Sequence, residues 1–157
     1  MTTATYWEIF ETMSVELDAE SKASKEVVLR FLKLMSTGTV DDQEAAGRVF
    51  AEDAEFFILG IPTTYGRDNI MTHHFRPGRS TMVPGSKTLK VGTVVTEGEY
   101  VAAEWMSHRK LMGGGEYQNL FFGLFHVKNG HIQSLREYRD TLVAKEAKRP
   151  GTETAAA

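Results

Sequence analysis

The apolar positions of this chain follow two regimes, helical spacing up to about residue 75 and strand alternation from about residue 87 onward. Residues 5–17 carry Tyr6, Trp7, Ile9, Phe10, Met13 and Leu17 at spacings of three and four, which predicts a short amphipathic helix that covers a pocket or packs on a partner subunit. Asp18 to Lys25 is polar and reads as a connector. Val27, Val28, Phe31, Leu32, Leu34 and Met35 form the apolar stripe of a helix over about 24–37, with Ser24 as N-cap and Gly38 as its stop. A second helix opens at Asp41, which has capping-box spacing to Glu44. It carries Ala45, Ala46, Val49 and Phe50 and ends before Asp53. Ala54–Leu59 is a short strand and Gly60–Tyr65 a loop. A third helix follows Gly66, carries Ile70, Met71, His73, His74 and Phe75, and is ended by Pro77 and Gly78.

The second regime predicts four strands, over 87–96, 100–112, 116–128 and 131–141. Gly98 and Gly113–Gly115 close two hairpins, and Asn129-Gly130, the strongest short hairpin signal in the chain, closes the third. Helices, one strand, a helix and then a meander imply an α+β domain: a curved antiparallel sheet whose hollow face the N-terminal helices cover, leaving a pocket. A length of 157 residues fits one domain, over 1–149, with 1–20 as an N-terminal helix or extension and 150–157 as a disordered tail.

Charge and composition narrow the function classes. Net charge is -3 and the 18 Lys and Arg residues are dispersed, so the electrostatic footprint of a nucleic-acid binder is missing. The chain has no Cys, which removes disulfides, thiolate metal sites and thiol nucleophiles. The first residues lack the pattern of a signal peptide and no segment is long and apolar enough to span a membrane, so a cytoplasmic address is expected. His73 and His74 diverge around a helix, and His108, His126 and His131 lack ligand spacing. No Gly-rich phosphate loop precedes a helix. Neither a metal nor a cofactor is expected.

Three segments carry a resemblance. Phe50 to Asp53 resembles the F-x-x-D entry to the first strand of nuclear-transport-factor-2-like proteins. Gly66-Arg67-Asp68-Asn69-Ile70 is similar to their G-R-(D/E)-x-(I/L) helix start, and Phe125 to Tyr138 to their last hairpin. The resemblance implies a cone-shaped pocket of the polyketide-cyclase and ketosteroid-isomerase type and a homodimer formed through the outer face of the sheet. It does not imply one activity, because this fold hosts isomerases, cyclases, epoxide hydrolases, dehydratases and non-enzymes. Within it, Gly66-Arg67 with His73, Tyr117 with Asn119 and Phe121, and Arg136-Glu137-Tyr138 resemble motifs of the phenazine-biosynthesis A/B family. That resemblance implies acid–base roles for His73 and Glu137 and a substrate contact for Tyr117. The limonene-epoxide-hydrolase-like pattern matches less well. Its Asp–Arg–Asp set and water-holding Tyr and Asn correspond here to Trp105, Ser107, Glu137, Phe56 and Ile58, of which only Glu137 has a related side chain.

Alternation gives the same wall from the residues themselves. Val101, Ala103, Trp105, Ser107 and Arg109 share a face of one strand, Tyr117, Asn119, Phe121, Gly123 and Phe125 of the next, and Gln133, Leu135, Glu137 and Arg139 of the last. If Trp105, Phe121 and Leu135 face the hollow, Glu137 and Tyr117 face it too. Desolvation there raises a carboxyl pKa and fits it to proton transfer. The alternative for Glu137 is a salt bridge on an exposed face. For His73 it is an exposed place at a helix end, and for Tyr117 the rim. Trp105, Phe121 and Phe56 are pocket walls or plain core, and Arg109 and Asn119 hold a substrate carboxylate or carbonyl or form a cross-strand polar pair. The function expected is cofactor-independent acid–base chemistry on a small hydrophobic or cyclic carbonyl substrate. The alternatives are an epoxide-hydrolase-like hydrolase and a non-catalytic ligand-binding or dimerisation module. Leu120, Phe122, Leu124 and Met106 alternate with the pocket face and supply the expected dimer surface.

Overall fold

The computed structural model describes residues 16–147. The residues up to Val15 that carry most of the expected first helix, and the expected tail over 150–157, lie outside them. Helix α1, Ala19–Ser36, begins before the expected N-cap at Ser24. Asp18 caps it instead, its Oδ1 accepting from the Ser21 amide at 2.8 Å. The polar stretch is helical because Ser21 and Ser24 lie on the buried face, with Val28, Phe31, Leu32 and Met35. The hydroxyl of Ser21 accepts from the Gly98 amide at 2.8 Å, which ties the helix to the turn between two strands. Helix α2, Val40–Gly47, is capped by Thr39 rather than Asp41, and Phe50 opens β1, Phe50–Ile58, rather than closing a helix.

After β2, Thr64–Tyr65, the chain enters α3, Arg67–Ile70, a π-helical turn, Met71–Phe75, and α4, Arg76–Ser80. Pro77 and Gly78 do not end this helix. Pro77 has no amide to donate four residues back, and its ring crowds the carbonyl there. The π turn relieves this, with the Arg76 amide donating to the Met71 carbonyl five residues back. Glu44 of α2 accepts from Arg76 Nε at 3.0 Å and Nη2 at 2.8 Å, and from Arg79 at 3.3 Å, which fixes this segment against α2. Those guanidinium bonds hold the Glu44 carboxyl at about 2.

Strands β3, Thr88–Glu97, β4, Tyr100–Lys110, β5, Glu116–Lys128, and β6, His131–Arg139, form the meander, and α5, Thr141–Glu146, follows. The six-stranded sheet has the order β2-β1-β6-β5-β4-β3 and is curved and unclosed. It is not wholly antiparallel, because β1 pairs parallel with β6, the intervening helices and strands providing the long crossover such a pair needs. Asn129 and Gly130 both take positive φ, 50° and 75°, as a two-residue type I′ hairpin requires. Next to it the β5–β6 register steps from His126↔Ser134 to Val127↔Ile132. Gln133 is therefore the extra residue of a bulge, and Ile132 joins Leu135 on the inner face where alternation alone puts Gln133.

The core lies between α1 and the concave face of the sheet. Phe31 meets Phe50 edge-on at 5.3 Å and Phe125 at 6.0 Å, and Phe56 stacks on Phe75 at 5.7 Å. The convex face exposes Leu120, Phe122 and Tyr138. Among the described residues no helix is long and apolar enough to cross a membrane.

Candidate active site

Three adjacent strands build one wall. Arg109 pairs with Tyr117, Ser107 with Asn119 and Trp105 with Phe121 across β4 and β5, while Phe121 pairs with Arg139 and Gly123 with Glu137 across β5 and β6. Trp105, Ser107, Tyr117, Asn119 and Glu137 are buried, and Arg109, Phe121 and Arg139 are half-buried. The wall drawn from alternation is therefore present on one face. The indole of Trp105, 5% exposed, lies parallel to the half-buried Phe121 ring, 5.5 Å away and 2° from coplanar.

Glu137 is 7% exposed. Burial pushes its carboxyl up to about 7, against the pull of Arg139 and Lys87. Arg139 Nη1 stands 3.5 Å from Glu137 Oε1, and among the described residues the carboxyl accepts no hydrogen bond. A carboxyl left without donors keeps its proton more readily than one held by amides, so both protonation states are accessible near neutral pH.

Lys87 was not among the candidates from the sequence, where it is only the first position of a strand. It reaches the site because the preceding loop is tied to the end of β4. Met82 bridges Leu111, the Val83 amide donates to the Lys110 carbonyl at 2.9 Å, and the Ser86 hydroxyl accepts from the Lys110 amide at 3.1 Å. Burial, and then the charge of Arg109, bring the Lys87 amine down to about 8, while Glu137 opposes them. Alternation is the signal that could have found it, since Lys87 stands two positions before Leu89, which packs against the core.

Arg109 lies over the Tyr117 ring, Cζ 4.6 Å from its centroid. Its Nε is buried and has no hydrogen-bond partner among the described residues. Burial lowers its pKa, as does the charge of Arg139, while Tyr117 opposes this. The Asn119 amide is engaged within the protein. Its Nδ2 donates to the Asp140 carbonyl and to Tyr117 Oη, each at 2.9 Å, and its Oδ1 accepts from the Asp140 amide at 3.3 Å. The Asp140 peptide thereby fixes which way the amide points, and Tyr117, already accepting, keeps its own O–H to donate.

The histidine expected in the hollow is turned the other way. His73 is exposed, and His74, four residues after buried Ile70, is the one that faces inward. The wider π turn keeps the residue four on beneath Ile70 and swings the residue three on outward. His74 Nε2 is 2.7 Å from Thr64 Oγ1, and its ring meets Phe56 edge-on at 5.0 Å. Phe56, 2% exposed, pairs with Leu135, and Ile58 with Glu137, so the aromatic core continues directly into the site. No cluster of three His, Cys, Asp or Glu side chains suited to a metal exists among the described residues. Two grooves of about 270 and 320 Å3 lie on the opposite, convex face. They share Ser134 and Arg136, with Tyr65 and Tyr138 lining one and Tyr100 and His126 the other.

Residues 28–135 match the model of a family described as the SnoaL-like domain. No curated protein matches the chain. Among solved structures, a protein from Jannaschia sp. CCS1 described as a SnoaL-like polyketide cyclase aligns with a TM-score of 0.70 at 14% identity, over 85% of this chain and 96% of that one. A Bacillus subtilis protein described as an isomerase aligns at 0.69 and 21% identity, over 83% and 95%. An LEH-like epoxide hydrolase from M. tuberculosis aligns at 0.65 and 18% identity, over 81% and 90%. At such identities the likeness shows the fold alone.

Proposed function

The chain belongs to the SnoaL-like domain family, and on that premise we propose that it is a cofactor-independent acid–base enzyme acting on a small hydrophobic or cyclic carbonyl compound. The observation that carries this reading is Glu137, a buried carboxyl brought to about 7 beside the Trp105–Phe121 pair. As carboxylate it removes a proton from the carbon next to the carbonyl. Arg139, 3.5 Å from the carboxyl, faces the oxygen on which charge then develops, Tyr117 anchors a polar group at the Arg109 end of the substrate, and the Glu137 acid returns the proton elsewhere. Return to another carbon is isomerisation. Attack of the enolate on a second carbonyl is cyclisation, and loss of a β-hydroxyl is dehydration. Asn119 holds Tyr117 in place for this. His74 rather than His73 supports the site, as part of the inner wall.

The test is exchange of the acidic C–H of cyclic ketones and 1,3-dicarbonyls for deuterium in D2O, followed by NMR. Wild type exchanges one class faster than buffer, and Glu137→Gln lowers that rate by about 10²- to 10⁴-fold. A wild type that never exceeds buffer removes the catalytic reading and leaves a ligand-binding module. Epoxide opening by water activated at Glu137 is distinguished by oxygen from labelled water in the product.

A second copy of the chain is the proposed partner. The convex face exposes Leu120 and Phe122 and carries Tyr138 6.3 Å from the Phe122 ring, an apolar strip at the middle of the sheet.

A further inference from the structure

We propose that the ligand of this hollow carries a carboxylate, seated between Lys87 and Arg109, at the opposite end of the Trp105–Phe121 pair from the reacting carbon. The proposal rests on the acid–base reading for the chemistry at Glu137, but the binding claim stands on separate residues.

The β3–β4 register, Thr88 opposite His108 and Leu89 opposite Ser107, brings Lys87 beside Arg109 on the inner face, Arg139 follows on β6, and one acid, Glu137, faces these three cations. Arg139 already stands against Glu137 at 3.5 Å. Lys87 and Arg109 make no ion pair or hydrogen bond to a carboxylate among the described residues, and each depresses its own charged form through burial. The surface of the same protein is built differently. Arg67 has Glu52, and Arg76 and Arg79 share Glu44, where water would have solvated them in any case. Glu137 is one acid set against three cations and stands nearest to Arg139, so Lys87 and Arg109 share a half-buried place with more positive than negative charge, which is costly. A bound anion removes that cost and accepts the hydrogen bonds that the protein leaves unmade.

A planar acid fits better than a small inorganic anion. Arg109 and Trp105 are on the same face of β4, four residues apart, which is roughly 13 Å of strand and comparable to a two-ring carboxylic acid. Half-buried Phe121, backed by the buried Trp105 indole, is the ring such an acid would meet. The Arg109 head lies beneath α4, Nη1 being 4.0 Å from where a Gly78 Cβ would stand, so that segment borders the same end of the site.

The experiment is calorimetric titration with 2-naphthoate and its neutral isostere 2-naphthamide, at one ionic strength, against wild type, Lys87→Met, Arg109→Met and Glu137→Gln. Wild type prefers the carboxylate by roughly tenfold, as charge-assisted bonds of this kind do. Both cation variants bring the preference below about threefold, and Glu137→Gln keeps it. Arg109→Gln replaces Arg109→Met if the latter lacks a folded circular dichroism spectrum. A wild-type preference under about threefold, a preference that survives both cation variants, or no binding of either compound at millimolar concentration overturns the proposal. Failure here with Glu137-dependent exchange intact leaves the acid–base reading standing. Loss of turnover in Glu137→Gln with the preference intact separates the two in the other direction.

Discussion

The indole of Trp105 occupies the space that a side chain at position 123 would need: a Cβ on Gly123 would stand 2.8 Å from its Cη2 and Cζ3. Gly123 is also the cross-strand partner of Glu137. The absence of a side chain at one position thus lets the aromatic pair lie next to the candidate acid. Gly123→Ala is expected to displace the indole, to cost about 1–3 kcal/mol in urea denaturation and to weaken 2-naphthoate binding.

Glu137 sets the pH dependence of stability with a sign opposite to the usual carboxylate. Folded, it keeps its proton up to about 7, and unfolded, it loses it near the ordinary 4.5. Between those values the folded state binds more protons, so stability falls as pH rises through this window, by on the order of 3 kcal/mol. Urea midpoints measured across the window decline in wild type more steeply than in Glu137→Gln, the difference being the contribution of this one group. Equal slopes count against a buried carboxyl.

The two shifted groups also shape the rate profile. Proton abstraction needs Glu137 ionised, so kcat/KM on an exchanging carboxylate substrate rises through about 7. Seating that substrate needs Lys87 charged, so the same quantity falls through about 8. A narrow bell is expected, and Lys87→Met lowers it and removes the falling limb.

The π turn assigns different weights to neighbouring histidines. His73→Ala, at an exposed position, is expected to change stability by less than about 0.5 kcal/mol and to leave exchange within about twofold. His74→Ala removes an inward ring packed on Phe56 and is expected to cost about 1–3 kcal/mol in the same denaturation assay.

Assembly through the convex face is tested by charge. Leu120→Glu with Phe122→Lys places two ions in the exposed apolar strip, and sedimentation equilibrium is expected to show a dimer for wild type and a monomer for the double variant, with unchanged circular dichroism. A wild-type monomer at micromolar concentration discards this interface.

Period-two alternation over β4, β5 and β6 is a local property of an extended chain, so Trp105, Arg109, Tyr117, Asn119, Phe121 and Glu137 could be assigned to one wall before any pairing was known. The Asn129-Gly130 turn likewise follows from backbone sterics at two residues. Where locality failed, the deciding partner was distant. Asp18 displaced Ser24 as the cap because Ser21 answers Gly98 across the fold, and Ile132 replaced Gln133 inside because of the bulge opposite Val127. His74 took the inward place because Pro77 demands a π turn. The pKa of Glu137 belongs to the same class. Sequence names the carboxyl, but desolvation and the fields of Lys87 and Arg139 are sums over space, and only the assembled sheet sets their size.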